Sequence, residues 1–297
     1  MKILMIGGSG HVSGRVLHYA VNGGHHVTAI TRGKKAFPEH HSFTHIKADR
    51  DNDNLSFIAK KYNYDVVLDI ICRTPTHAKQ SIQLASKCKR LVMVSTDYVY
   101  EPMARKLFLK ENEAIFSNHQ DYGGDKRRAE KIIIDAENKG MINATILRPP
   151  HIYGPGSNPG TIPQHGRSTC LLDQIISNET LNLLYGGLGL IQPIHVDDFA
   201  KIILLITFNE ESFGEAYTVA GAELMTHLDY YNAIADTLGR KLTVTPYIPT
   251  HNAQDVNNYV VGHRCYDMSK LNSLFPNIQY IPFKEGIAKW VNSILKK

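Results

Sequence analysis

The stretch Lys2-Ile3-Leu4-Met5-Ile6-Gly7-Gly8-Ser9-Gly10-His11-Val12-Ser13-Gly14 decides how the rest of the chain is read. A short apolar run ends in glycine. Beyond the glycines, Arg15 to Val21 puts Val16, Leu17, Ala20 and Val21 on one helical stripe that stops at Asn22-Gly23-Gly24. The cluster therefore lies between a strand and a helix. Glycines at such a junction permit a tight turn and close backbone approach, and free N–H groups at the helix start attract a pyrophosphate. Gly7, Ser9, Gly10, His11 and Val12 are the candidate cofactor-binding residues of this loop. Ser13 stands where G-x-x-G-x-x-G has its last glycine, which is displaced to Gly14; serine is small enough for helix–strand packing.

Working outward, strand and helix patterns alternate. Strands are expected at Val27 to Thr31 and Thr44 to Ala48, then a helix from about Asn54 to Lys61. Asp65 to Ile71 and Arg90 to Ser95 read as buried parallel strands around a helical stretch from His77 to Lys87. A helix from Tyr122 to Asn138 and a strand from Asn143 to Leu147 follow. Repeated β-α-β order gives an α/β fold, a doubly wound parallel sheet of the Rossmann type. After Arg148 the texture changes. Pro149-Pro150 and Gly154-Pro155-Gly156-Ser157-Asn158-Pro159-Gly160 cannot continue a regular element. A strand near Gln192 to Val196 and a helix from Asp197 look like a return to the sheet. Thr226-His227-Leu228-Asp229 is a helix start, and Leu242 to Tyr247 a strand. Residues 1–150 plus about 191–222 are thus expected to form the dinucleotide-binding domain. Residues 151–190 and 223–297 would form a smaller, discontinuous C-terminal substrate domain over the strand ends.

Composition excludes several classes. The 297 residues are 43% hydrophobic and 21% charged, ordinary values for a globular chain. The longest apolar runs, Ile202 to Phe208 and Val66 to Cys72, fall far short of the roughly 20 residues that span a bilayer. Glycines stop the apolar start at once, so no secretory leader is expected. Cys72, Cys88, Cys170 and Cys265 lie far apart without a C-x-x-C, which suggests neither a disulfide framework nor zinc and makes a reducing cytoplasm the natural compartment. The fifteen histidines match no ligand spacing, so no metal is expected. The net charge of +5 is scattered among acids with no basic, aromatic-interleaved block, which argues against nucleic acid as a partner.

The second strand ends in Thr31-Arg32-Gly33-Lys34-Lys35. A binder preferring NAD usually places an acid here for the ribose hydroxyls, whereas a guanidinium pairs with a 2′-phosphate. Arg32 and Lys34 therefore point to NADP, with NAD as the alternative. Asp49 and Arg50, after the third strand, are placed to meet the adenine edge, though Asp49 could equally be a helix-start acid.

Ser95-Thr96 ends a buried strand, Tyr122 lies 26 residues after Thr96, and Lys126 four residues beyond Tyr122. Positions i and i+4 share a helix face, so ammonium and phenol can point into one site. The cation is expected to bring the tyrosine down from about 10 toward working pH, while the threonine hydroxyl orients a substrate oxygen. Thr96, Tyr122 and Lys126 are the catalytic candidates, as carbonyl/alcohol hydride chemistry requires beside a nicotinamide.

With these residues in place, the sequence resembles the extended short-chain dehydrogenase/reductases, the NAD-dependent epimerase/dehydratase family. The resemblance rests on Gly7 to Gly14, Ser95-Thr96-Asp97-Tyr98-Val99-Tyr100 and Tyr122-Gly123-Gly124-Asp125-Lys126. It continues in Leu147-Arg148-Pro149-Pro150-His151-Ile152-Tyr153-Gly154-Pro155-Gly156, Ile194-His195-Val196-Asp197-Asp198-Phe199-Ala200 and Asp267-Met268-Ser269-Lys270. It implies that Ile70 and Ile71 line the cofactor, that Pro150 borders the nicotinamide, that Lys126 also holds the ribose, and that Thr96 and His151 meet substrate. Many sugar-nucleotide members carry asparagine where His151 stands. Members that dehydrate sugar nucleotides resemble Thr-Asp-Glu after the strand; Thr96-Asp97-Tyr98 lacks the glutamate, which disfavours dehydration. Ser95-Thr96-Asp97-Tyr98-Val99 is similar instead to the 4-keto-sugar reductases related to dTDP-rhamnose synthesis, though Asp97 could equally cap a turn. Thr31-Arg32-Gly33-Lys34 resembles a branch whose relatives include chloroplast stem-loop RNA-binding proteins. The reading favoured is an NADP-dependent oxidoreductase acting on a small molecule, with a sugar nucleotide as one candidate. The alternatives are an NAD(P)-dependent sugar-nucleotide epimerase and a cofactor-sensing or RNA-binding protein on this fold. A homodimer is compatible with the sequence. Tyr185, His165, Arg167 and Gln192 lie in segments that could face the strand ends.

Overall fold

The computed structural model describes residues 1–37, 42–55, 57, 63–88, 90–161, 165, 168–248 and 263–295. Seven strands form one parallel sheet: β1 Lys2–Ile6, β2 His26–Thr31, β3 Thr44–Lys47, β4 Val66–Asp69, β5 Arg90–Val94, β6 Asn143–Arg148 and, after four short strands, β11 Ala216–Thr218. Their spatial order is β11-β6-β5-β4-β1-β2-β3, so the winding reverses between β1 and β4. Ligands of open α/β sheets bind at such a reversal, outside the carboxyl ends of the strands.

Alternation along the strands explains the two layers of helices. Ile3 and Met5 face one side of the sheet with Val27, Ala29, Leu68 and Val92, against α1 (His11–Asn22) and α5 (Val196–Thr207). Leu4 and Ile6 face the other with Ile30, Val67, Met93 and Ile146, against α2 (Pro75–Ala85) and α3 (Tyr122–Asn138). Strands buried on both faces read as continuous apolar runs for this reason.

A third apolar cluster is drawn from later elements. It joins α4 (Leu171–Ile176), β8 (Thr180–Leu184), α6 (His227–Thr237) and α8 (Phe283–Leu295), with Tyr153 and the fully buried Trp290. Small ladders tie this region together: β7 (Ile152–Tyr153) with β10 (Ile194–His195), β9 (Leu190–Ile191) with β12 (Met225–Thr226), and β8 with β13 (Thr243–Tyr247). The short helix α7 (Ser269–Leu274) packs its Leu271 into the first cluster. The helix start at Thr226 is a capping box in which the Thr226 hydroxyl accepts from the Asp229 N–H and the Asp229 carboxylate accepts from the Thr226 N–H, both at 3.0 Å.

Two expectations need correction. Helix α1 begins at His11, not Arg15, because Ser13 Oγ accepts the Gly10 N–H at 3.0 Å and closes the first turn inside the glycine motif. The strand expected to return to the sheet near Gln192 is only Ile194–His195, since Asp197 N–H is taken by His195 Nδ1 at 3.2 Å and the helix starts immediately; it pairs with β7 outside the central sheet, and the strand that rejoins that sheet is β11, beside β6. The helix expected from Asn54 to Lys61 lies mostly outside the described residues. Among the described residues no helix is long and apolar enough to cross a membrane.

Candidate active site

The loop after β1 is shaped by its glycines. Gly7 has φ of +107°, which an L side chain rarely adopts, and a Cβ there would stand 3.2 Å from Ser13 Cβ. The first-turn N–H groups of α1 have no intrahelical partner and open toward the loop. Above them is a cavity of about 510 Å³ lined by Gly7, Ser9, Gly10, Arg32, Lys34, Asp49, Arg50 and Ile71. This volume is within the range of small-molecule and cofactor sites.

Of those residues Arg50 departs from its expected role. Its guanidinium is turned inward: Nη1 donates to both oxygens of Asp69 (2.9 and 3.1 Å), Nη2 to the His77 carbonyl (3.0 Å). Only 5% exposed, Arg50 braces the end of β4 against the start of α2 rather than reaching for a ligand's edge. Asp69 in turn accepts the Ile71 N–H (3.1 Å), which ends β4 early and frees Ile70 and Ile71 to face the clefts.

A second cavity, about 870 Å³, lies beside the first. It is lined by His11, Val12, Ile70, Thr96, Tyr122, Lys126, Pro150 and His151, and Lys35 borders both cavities. The candidates from distant parts of the chain therefore meet at the carboxyl ends of β1, β4, β5 and β6.

Local chemistry fixes each one. Thr96 caps the 3-10 turn Asp97–Val99, its hydroxyl accepting from the Tyr98 N–H at 3.3 Å. Asp121 caps α3 by accepting the Gly124 N–H at 2.8 Å, which makes Tyr122 the first helical residue. Gly123 allows close approach: a Cβ there would lie 2.2 Å from the Tyr98 carbonyl oxygen. Arg148 sits just before Pro149-Pro150 and donates to Glu130 of α3 at 3.0 and 2.9 Å, tying β6 to the helix that carries Tyr122.

The electrostatics differ from expectation at the phenol. Tyr122 is 43% exposed, but to a cleft walled by protein, and desolvation raises its pKa above 10. Arg73 opposes that rise, and Asp97 and Tyr98 add to it. Lys126, expected to lower the phenol, is 4% exposed, donates to the Val94 carbonyl at 2.8 Å and lies 5.9 Å from the ring centroid. Burial lowers its own pKa, against the nearby carboxylates of Asp69 and Glu130. The phenol is therefore protonated in this state. His151 is pushed down to about 3 by burial, reinforced by Arg264, so it meets the cleft as a neutral imidazole, its Nε2 3.4 Å from Tyr230 Oη.

Asp97 does not simply cap a turn. It is fully buried, and its carboxylate receives Arg264 Nε (2.7 Å), Arg264 Nη2 (2.8 Å) and Tyr266 Oη (2.6 Å). Arg264 also lines the second cavity. Sequence reading missed Arg264, since nothing local links positions 167 residues apart, and it missed Arg73. Gln192 is buried, its amide donating to the Gly221 carbonyl at 2.9 Å and its oxygen accepting the Tyr266 N–H at 2.9 Å. His165 Nδ1 is 3.1 Å from Tyr231 Oη. Tyr185 is half exposed and not on either cavity wall; Arg167 lies outside the described residues.

Residues 3–220 match the sequence model of the NAD dependent epimerase/dehydratase family. The chain belongs to that family. Curated relatives include a chloroplast stem-loop binding protein of 41 kDa from Arabidopsis thaliana and a 2′-dehydrokanamycin reductase from Streptomyces kanamyceticus. The first is 25% identical over 244 residues, covering 76% of this chain and 60% of that protein. The second is 22% identical over 242 residues, covering 81% of this chain and 67% of that protein. The chain thus spans 60% of the length of one relative and 67% of the other. Among solved structures, dTDP-glucose 4,6-dehydratase from Bacillus anthracis in complex with NAD has a TM-score of 0.82 at 18% identity, covering 100% of this chain and 97% of that one. That likeness is one of fold. The family is named for NAD-dependent epimerases and dehydratases.

Proposed function

We propose that the protein is an NADP(H)-dependent oxidoreductase that interconverts a carbonyl and an alcohol on a small molecule. The observation that carries this reading is the meeting of Thr96, Tyr122 and Lys126 on one cavity wall beside the glycine-loop cavity. The loop fits a dinucleotide: Gly7 holds a positive φ where a side chain would be strained and would crowd Ser13, and the first-turn N–H groups suit a pyrophosphate. When bound, the nicotinamide supplies or accepts a hydride. Tyr122, protonated in this state, gives its proton to the substrate oxygen in the reducing direction. Thr96 holds that oxygen, and Lys126 restores charge balance at the phenol and reaches the ribose from the same helix face. Pro150 borders the nicotinamide, and His151 offers a neutral donor or acceptor to substrate. Residues 151–190 and 223–297 form the substrate side.

Reduction is favoured over dehydration because Tyr98 stands where an elimination enzyme needs a glutamate, and because the Asp97 carboxylate is committed to Arg264 and Tyr266. The reductase among the relatives agrees with this choice, and the NAD-bound dehydratase supports a sugar nucleotide as a candidate substrate. The intact proton-transfer set speaks against a purely RNA-binding role, despite the stem-loop binding relative. A screen of carbonyl compounds with NADPH and NADH tests the proposal; turnover with NADPH is expected, and a protein that binds neither cofactor would contradict it.

The choice of NADP rests on Arg32 and Lys34 lining the first cavity after β2, while Asp51 on the same wall is hydrogen-bonded to His77 at 2.7 Å. Arg32→Ala should weaken NADP(H) by about 1.5–3 kcal/mol, the range for a charged hydrogen bond, and leave NAD(H) nearly unchanged. Calorimetric titration of both cofactors measures this, and equal affinities in the wild type would overturn the assignment. Lys126→Met should weaken catalysis and cofactor affinity together, because one ammonium serves both, and the same titration run beside turnover separates the two losses.

A further inference from the structure

A cation that the mechanism above does not use stands at the same phenol. Arg73 follows β4 after Ile70, Ile71 and Cys72 and lines the glycine-loop cavity. Its guanidinium carbon lies 5.5 Å from the centroid of the Tyr122 ring. Lys126 approaches the ring at 5.9 Å from the helix side, with one of its three donors held by the Val94 carbonyl. The two cations differ in kind. A buried ammonium loses its proton readily, whereas a guanidinium stays charged at any working pH and is drawn to an aromatic face.

We infer that Arg73 is a positioning residue for proton transfer: its guanidinium holds the Tyr122 ring by the face and supplies the lasting positive charge that favours the phenolate. The inference rests on the reading of Tyr122 as the proton-transfer group. The other groups around the phenol act differently. From the end of β5, Asp97 and Tyr98 oppose ionisation, Tyr98 with its ring 6.2 Å from that of Tyr122. Arg264 is paired with Asp97, and His151 is uncharged. Burial raises the phenol most, and Arg73 is the charge that counters it. Arg73 is exposed to the cavity in this state, so water screens it; a ligand that fills the cavity would remove that water and strengthen the interaction. Sequence reading passed over Arg73 because an arginine after a strand is ordinarily a solvated loop residue.

The test needs no substrate. Protein labelled with ¹³C at the tyrosine ζ carbon is titrated through the alkaline range by NMR, and Tyr122→Phe identifies the Tyr122 signal by removing it. Arg73→Met and Arg73→Gln should each raise the Tyr122 midpoint by about one pH unit, a typical spread for protein tyrosines, while Arg73→Lys should restore most of the shift. NADP⁺ affinity is measured on the same variants, because Arg73 lines the glycine-loop cavity and a phosphate contact has to be told apart from an effect on the ring. A midpoint unmoved in both Arg73→Met and Arg73→Gln would overturn the inference, as would a Tyr122 signal that stays protonated in the wild type until the fold is lost. A large loss of NADP⁺ affinity with no change in midpoint would also overturn it, by making Arg73 a phosphate ligand. The mechanism fails separately: full turnover in Tyr122→Phe removes the proton-transfer role, whatever the titration shows.

Discussion

Tyr122→Phe is expected to lower turnover by about 10²–10⁴-fold while leaving cofactor affinity nearly intact. The phenol lines the cavity with Thr96 and Lys126, and its proton moves only as the substrate oxygen gains or loses charge. Its loss should therefore fall on kcat and kcat/KM alike, the pattern of an interaction made in the transition state. The ring itself would stay, so the contacts with Arg73 and Tyr98 survive and the cleft keeps its shape. Steady-state kinetics on any carbonyl substrate found with NADPH, paired with cofactor titration, gives both numbers. Full activity in the variant would rule out the mechanism.

The second large effect is on stability. Arg264→Met should destabilise the protein by about 3–5 kcal/mol, because it leaves the Asp97 carboxylate buried without its charge partner. Burial alone would raise the Asp97 pKa. The charges of Arg264 and Arg105, with hydrogen bonds from Arg264 and Tyr266, outweigh it and hold the carboxyl below its ordinary range. A carboxyl depressed in the folded state adds stability that is full above its unfolded pKa of about 3.9 and is lost as pH falls through the folded value. Urea midpoints across the acid range should therefore fall less steeply in Asp97→Asn than in the wild type. An Arg264→Met midpoint equal to that of the wild type would show that the pair is not needed for the fold.

Most of the sheet could be read because each strand carries its own signal. Lys2–Ile6, Val66–Asp69 and Arg90–Val94 are apolar on both faces, and the glycines after β1 mark the reversal of winding. The candidate site was legible as a grouping where motif and position coincide, as for Thr96, Tyr122, Lys126 and Pro150, all on one cavity wall. It was illegible where a role depends on partners distant in sequence. Arg50 is basic and correctly placed along the chain, yet Asp69 and His77 turn its head inward. Asp97 resembled a turn cap until Arg264 and Tyr266 were brought to it. The i, i+4 spacing of Tyr122 and Lys126 put them on one face, but could not reveal that burial and the Val94 carbonyl redirect the ammonium.

The most direct test of the account is a crystal structure of the protein grown with NADP⁺. It should show the pyrophosphate over Gly7 to His11, the 2′-phosphate against Arg32 and the nicotinamide ring between Pro150 and the Tyr122 hydroxyl, within reach of Thr96. A nicotinamide directed away from Thr96 and Tyr122, or a dinucleotide bound outside the glycine-loop cavity, would contradict it.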